Sequence, residues 1–464
     1  MRNYFLIISF IVLLPVYASA QQTAVFPALK ISANGRYFMQ QDGSPFFWLG
    51  DTGWLLFTRL DRNETKRYLD DRAGKGFNVI QVMVLHSLDA VNVYGQPALE
   101  NRNVATPKTT DSNSPDIKGQ YDYWDHVDFV IDQAAARGIW IALVPVWGSN
   151  VKAGKLSEAQ AERYATFLAN RYKSKPNIIW MNGGDIKGSD YIKVWERIGA
   201  TIHALDPHHL MTFHPRGRTS SSTWFHNQPW LNFNSVQSGH RRYEQDTSKG
   251  DLHYGEDNWK YIMADYKRLP AKPVLDAEPS YENIPQGLHD TTQPRWKDSD
   301  LRRYGYWSVF AGAAGYTYGD NSVMQMLRPS DKKSSYGAKA FWYDAIADPG
   351  AAQMQYLKKL LLSRPYFERV PDQQLISGDA GAKYDRLVAT RGKNYAFIYT
   401  CNGRNIKAVM GKIAGTKVKA GWYDPRNGSI TPAGEYPNKG IIGFNPPGEP
   451  ANGNDWVLIL DSVQ

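Results

Sequence analysis

From Phe46 onward, a short apolar run is repeatedly followed by a longer amphipathic one that ends near a glycine. That alternation constrains the fold more than any other feature. Parallel strands need crossover connections, usually helical, and a strand buried on both faces reads as a near-continuous apolar run. Eight strand-like runs can be placed: FFWLGDTGW (46–54), FNVIQVMVLH (77–86), IWIALVPVWG (139–148), NIIWMNGGD (177–185), HLMTFHPRG (209–217), LNFNSVQSGH (231–240), PVLDAEPSYE (273–282) and YTYGDNSVMQM (316–326). Between them lie helical patterns. The first is NETKRYLDDRAGKG, with Asn63 placed to cap it, and a later one opens with Ser157 and Gln160 at capping-box spacing. The weak link is 218–230, which offers a loop and no good helix between the fifth and sixth strands. Eight units predict an α/β fold, a closed (β/α)8 TIM barrel over about 25–365. An open doubly wound sheet is the alternative, but neither G-x-G-x-x-G nor G-x-x-x-x-G-K occurs.

After Pro371 the period changes. KYDRLVATRG, NYAFIYTC, AVMGKIAG, KVKAGWYDPRNGSI and DWVLILDS are short β-like runs divided by Gly, Asn and Pro turns. A small antiparallel β-sandwich domain is expected over 371–464. At the other end, residues 1–20 join a basic start, an apolar stretch and Ala18-Ser19-Ala20, the pattern of a cleaved secretory signal peptide. Export to the periplasm or beyond is therefore expected. No lipid anchor is evident, since Gln21 rather than a cysteine directly follows the cleavage site, and no further run is long enough for a membrane span. Cys401 is the single cysteine, so stability must come from burial rather than an intrachain disulfide. The net charge of +9 is spread among acids without a long basic run. That argues against a nucleic-acid partner and leaves an acidic polysaccharide compatible.

In a barrel of this kind the active site forms where the strands end at their C-terminal edge. The polar and aromatic residues at those ends are Asp51, His86, Trp147, Asn182, Asp185, His214, Arg216, Gln237, Ser238, His240, Glu278, Tyr318 and Asp320. Two carboxylates facing each other across one pocket are what glycoside hydrolysis requires: one protonates the leaving oxygen, the other attacks or activates water. Asp185 after strand four and Glu278 after strand seven are the pair that a closed barrel sets on opposite sides. Trp54, His86, Trp147, Asn182, His214, Gln237, Tyr281 and Tyr318, with Asp51, are expected to line the cavity as substrate-binding groups. Aromatic residues make up 13 % of the chain, enough to supply sugar-stacking faces besides the core.

Together, FFWLGDTGW, GFNVIQVMVLH, NIIWMNGGD and PVLDAEPSYE resemble the apiosidase-like glycoside hydrolases of carbohydrate-degrading gut bacteria, over nearly the whole mature chain. The resemblance implies a (β/α)8 catalytic barrel followed by a small β domain called collagen-binding. It implies Asp185 as acid/base and Glu278 as nucleophile of a retaining mechanism, on apiose linkages of the plant pectin rhamnogalacturonan-II. The wider clan of such barrels carries Asn-Glu after strand four. Gly-Gly-Asp stands here instead, so the donor is one methylene shorter and the loop must bring it closer.

Rivals stay in view. Asp276 shares a strand face with Glu278, and Glu282 lies in the following loop as a supporting or surface group. His208, His209 and His214 invite a zinc reading, but H-E-x-x-H is absent; no metal and no cofactor are expected. There is no G-x-S-x-G elbow for a serine hydrolase. The remaining alternatives are an endo-acting hydrolase on another plant glycan and a non-catalytic glycan- or collagen-binding protein.

Overall fold

A computed structural model describes residues 26–247 and 252–463. The signal-peptide reading of residues 1–20 lies outside the described residues. Eight parallel strands form the barrel wall: Trp48–Thr52, Val79–Met83, Trp140–Val144, Ile178–Ile186, Met211–Pro215, Asn234–Gln237, Val274–Asp276 and Gly315–Tyr318. Their order around the sheet follows the chain, with the eighth paired in parallel to the first through Tyr318 and Asp51. The ladder opens at one place, between the fifth and sixth strands. There the Asn232 amide donates to the Met211 carbonyl at 2.8 Å, and the Thr212 hydroxyl to Phe233 at 2.7 Å. A two-residue strand, Thr219–Ser220, pairs antiparallel to the sixth instead. The gap coincides with the segment whose sequence lacked a helix; only one turn, Ser222–Phe225, forms there.

Strand alternation builds two apolar layers. On the third strand Ile141 and Leu143 join the cluster under the outer helices, while Ala142 and Val144 join the barrel interior. The helices are fixed by their caps. Asp61 rather than Asn63 caps Arg62–Gly74, accepting the Asn63 and Glu64 amides while Glu64 reaches back to its own amide. A carboxylate at that position also meets the positive end of the helix dipole. The Ser157–Gln160 box forms at the start of Glu158–Tyr172.

One small sheet was not legible in the sequence. Leu29–Ile31, Phe38–Gln40 and Pro45–Phe46 make an antiparallel meander across the N-terminal mouth of the barrel. Phe38 packs on Phe233 with centroids 5.0 Å apart, and Phe46 on Trp140 at 4.8 Å. The floor is thereby closed, and access is left to the C-terminal face.

The C-terminal region is a six-stranded antiparallel sheet faced by a two-stranded layer, Ile406–Val409 with Ile441–Phe444. Ile398, Leu458 and Leu460 point into that sandwich. Their neighbours Phe397, Tyr399, Val457 and Ile459 face the barrel instead and share its core. Tyr399 stacks on Tyr306 at 4.7 Å, and the Arg302 guanidinium donates to both oxygens of the buried Asp455, at 2.8, 2.9 and 3.2 Å. Among the described residues, no helix is long and apolar enough to cross a membrane.

Candidate active site

The fourth strand ends in a bulge, with its register against the fifth shifting between Gly183 and Ile186. Gly183 and Gly184 adopt φ of +87° and +117°, and Asp185 itself sits at +49°. The glycines answer to space as well as to φ. A Cβ on Gly184 would lie 2.6 Å from the Trp147 ring, and one on Gly183 would lie 2.6 Å from the Phe213 ring. Asp is among the few residues that tolerate the left-handed region, and a non-glycine held there is a mark of imposed geometry. The bulge thus lays Trp147 against bare backbone and turns Asp185 into the cavity.

Opposite stands Glu278, two residues beyond the seventh strand. The His240 ring lies 3.1 Å from its Oε1, and His214 Nε2 lies 3.0 Å from Oε2. The His214 contact is close but misaligned for a hydrogen bond, so His240 makes the better one. Burial alone would raise the Glu278 carboxyl. The two histidines outweigh it and hold the group down at about 2. Asp185 goes the other way. Burial first, and the Glu278 charge second, push it up to about 6, against the opposing pull of His214, His240 and the Gly217 amide. Asp185 does keep exposed surface, but that surface faces the recess, where surrounding protein rather than bulk water sets its environment.

The cavity has a volume of about 440 Å³, within the range of small-ligand sites. Of the expected lining residues, Trp54, Trp147, Gln237 and Tyr281 reach it together with both carboxyls. Trp54 packs on Trp147 at 5.3 Å and donates its indole N–H to the Tyr281 hydroxyl at 2.9 Å. Gln237 is buried with its side-chain oxygen unpartnered, an acceptor open to a ligand hydroxyl. His214 lies beneath the cavity, between Trp54, Trp147 and Glu278.

Four expectations need correction. Asp51 points away from the cavity to the helix behind, where Arg72 and the Tyr68 hydroxyl bind it at 2.5 and 2.6 Å. Asn182 likewise faces outward, donating to the Trp195 carbonyl at 2.8 Å. Tyr318 donates to Glu282 at 2.5 Å, and Glu282 also accepts the Gly350 amide at 3.0 Å; it is a buried brace, not a surface group, and burial raises it to about 7. His86 lines a neighbouring crevice with Arg59, Asp89 and Arg328 rather than this cavity. Asp276 is also buried. Burial raises it to about 6 despite donors from Asn258 and Ser238, and the Glu278 charge adds to the rise, as a neighbour on the same face should. His209 pairs with Asp206 at 2.7 Å.

The structure adds residues that the expected cavity lining left out. Arg216, Arg218 and Arg241 line one side of the cavity. Burial and the charges of Arg218 and Arg216 hold Arg241 below its usual value, with Asp246 opposing. His289 and Tyr336 enter from loops, their rings 5.8 Å apart. His240 and Arg216 stood at strand ends, so their position was a usable signal. Nothing local marks Tyr336.

Comparison with known proteins bears on this geometry. Residues 32–368 match the family model described as "Apiosidase-like, catalytic domain", and residues 370–461 match "Putative collagen-binding domain of a collagenase". A solved structure named "Glycoside hydrolase" is 48 % identical and superposes with a TM-score of 0.89, over 94 % of this chain and 97 % of its own. A glycoside hydrolase family 5 structure from Bacteroides vulgatus is 46 % identical at the same TM-score, covering 94 % of this chain and 95 % of that one. No curated protein matches.

Proposed function

Since the chain belongs to the apiosidase-like glycoside hydrolases, we propose that it is a retaining enzyme of plant pectin, cleaving apiose linkages in the side chains of rhamnogalacturonan-II. The observation that carries the mechanism is the placement of two carboxyls in one cavity with Glu278 alone held between His214 and His240, which sets Asp185 up at about 6 and Glu278 down at about 2. Paired groups whose environments push them apart divide into an acid and a base or nucleophile. Ionised Glu278 attacks the anomeric carbon and forms the glycosyl-enzyme, while Asp185 gives its proton to the departing oxygen. Asp185 then takes a proton from the incoming water, which displaces Glu278.

Support for an acidic glycan comes from Arg216, Arg218 and Arg241 along the cavity, since guanidinium groups suit the carboxylates of uronic acids. Trp54 and Trp147 offer the stacking faces. An exported enzyme, as the leader sequence suggests, meets such polymers outside the cytoplasm.

The test is incubation with pectic and hemicellulosic glycans, followed by product analysis and NMR of the first anomer released. Release of apiose or short branches, with the backbone length unchanged and the anomeric configuration kept, supports the reading. A shortened backbone would instead assign an endo-acting hydrolase, and inversion would remove the nucleophile role from Glu278. Retention of glycan with no product at all would mark a binding protein.

A further inference from the structure

The loop that follows the sixth strand carries His240 and Arg241 into the cavity and is tied there from below. The Gly239 amide donates to the Glu278 carbonyl at 3.1 Å, and the Gly287 amide to the His240 carbonyl at 2.7 Å. Farther along, the loop folds on itself. Tyr243 packs where a Cβ on Gly255 would clash, and its hydroxyl donates to Asp257 at 2.6 Å. Its outer end rests on the C-terminal domain. The Tyr384 hydroxyl donates to Glu256 at 2.7 Å, and Glu256 is fully buried against Arg303 at 2.8 Å. The Tyr384 and Tyr243 rings meet edge-on at 5.9 Å, with the Lys383 ammonium 5.0 Å over Tyr243. Arg386 covers Trp259 at 4.3 Å, just past the loop.

We infer that the C-terminal domain is a working part of the active site: Tyr384 and Lys383 are positioning residues that clamp Tyr243 and Glu256, on the described limbs of the loop after the sixth strand, and so hold His240 on Glu278. Lys383 and Tyr384 hold Tyr243, three residues along the backbone from His240, and Tyr384 also holds Glu256 on the return limb, against which Tyr243 packs at Gly255 and Asp257. Other contacts of the interface lie away from this loop, such as Tyr306 on Tyr399 and Arg364 with Asp461 at 2.6 Å. The β domain therefore has a local task at one corner besides covering apolar surface.

The catalytic consequence rests on the hydrolase reading above, so the test has one readout that does not. Tyr384→Phe keeps the ring and deletes the bond to Glu256; Lys383→Met deletes the charge over Tyr243. In the full-length protein, hydrogen exchange at the described loop residues should quicken about tenfold in both variants. With His240 loosened, the acid limb of the kcat/KM profile should rise by about one pH unit. kcat/KM at the optimum should fall about tenfold, the scale of a small misplacement. Arg364→Ala, which breaks a polar contact elsewhere in the same interface, should alter neither readout. Unchanged loop exchange in Tyr384→Phe and Lys383→Met overturns the clamp whatever the substrate is. Faster exchange with an unmoved acid limb overturns the link to Glu278. Faster exchange in an enzyme without activity on any glycan would count against the hydrolase reading alone.

Discussion

The ends of the fourth and seventh strands face one cavity and are built in opposite ways. The fourth strand reaches the cavity by backbone: two glycines and a bulge bring a short carboxyl forward, where the Gly217 amide and the charges of His214 and His240 do not offset burial. The seventh reaches it by side chain: a longer carboxyl extends from a bend two residues past the strand, between two histidines. The first arrangement leaves Asp185 raised and able to carry a proton; the second keeps Glu278 ionised. What differs is the supply of donors, since both groups are crowded by protein. The lesson is that one recess can run acid and nucleophile chemistry together when its polar partners are shared unequally.

The largest blow to this division is Glu278→Gln. It removes the nucleophile and should lower kcat by more than about 10⁴-fold with any leaving group, beyond the ~10²–10⁴ that general acid–base catalysis supplies. The same change deletes the charge facing Asp185, whose carboxyl should then fall toward the ordinary range, as NMR titration would show. Near-normal turnover would end the proposal.

Asp185→Asn should cost about 10²–10⁴-fold on a natural glycan and clearly less on an aryl glycoside with a good leaving group. Initial rates on both substrates decide it. Equal losses would mean that Asp185 does not serve as the acid, unless release from the glycosyl-enzyme limits both, which pre-steady-state bursts would reveal.

How much of this contrast the sequence disclosed follows from what each end is made of. The barrel was legible because parallel strands are buried on both faces, so IIWM or IALV reads as one apolar run whatever its surroundings. Gly-Gly-Asp alone is ordinary turn chemistry; Asp185 stood out because it ends the fourth of eight strand-like runs, across a closed barrel from Glu278. Asp51, Asn182 and Tyr318 occupy equally good strand ends, yet their side chains turn toward Arg72, Trp195 and Glu282. Strand alternation sets which residues share a face, but an end residue's face depends on register and bulges that a single sequence does not show. Tyr336 and His289 come from irregular loops, where no period exists to be read. The Leu29–Phe46 meander was missed because its strands are two or three residues long, too short for alternation to register.

A gentler way to break the comparison is to disturb only the backbone device. Gly184→Ala adds one methyl at φ +117°, 2.6 Å from the Trp147 ring. Overpacking of that kind costs about 1–3 kcal/mol. Displacing Asp185 by about 1 Å should reduce kcat/KM on natural glycans by roughly 10²-fold. The aryl glycoside should suffer less, because Glu278 stands on the other strand. If Gly184→Ala lost activity on both substrates alike, the bulge would be shaping the whole cavity rather than aiming the acid.

The smallest effect is also the most specific, because its sign differs between the two ends. Asp185 binds its proton more tightly in the folded chain, at about 6 against an ordinary 3.8. Ionising it therefore costs native stability as the pH rises through that window, and Asn, neutral throughout, escapes the cost. Asp185→Asn should raise Tm by roughly 1–3 °C at pH 7, with the gain shrinking as the pH falls below about 6 and gone below about 4. Glu278 binds its proton less tightly when folded, at about 2 against an ordinary 4.5. Its stabilisation is complete above the ordinary value and is lost as the pH falls toward 2. Glu278→Gln should therefore lower Tm by a similar amount at neutral pH, and the deficit should shrink as acid is added. Calorimetry of both variants from pH 3 to 8 gives the two curves. Opposite signs at pH 7 are what unequal sharing of donors requires; shifts of the same sign would show that the two carboxyls are not tuned against each other.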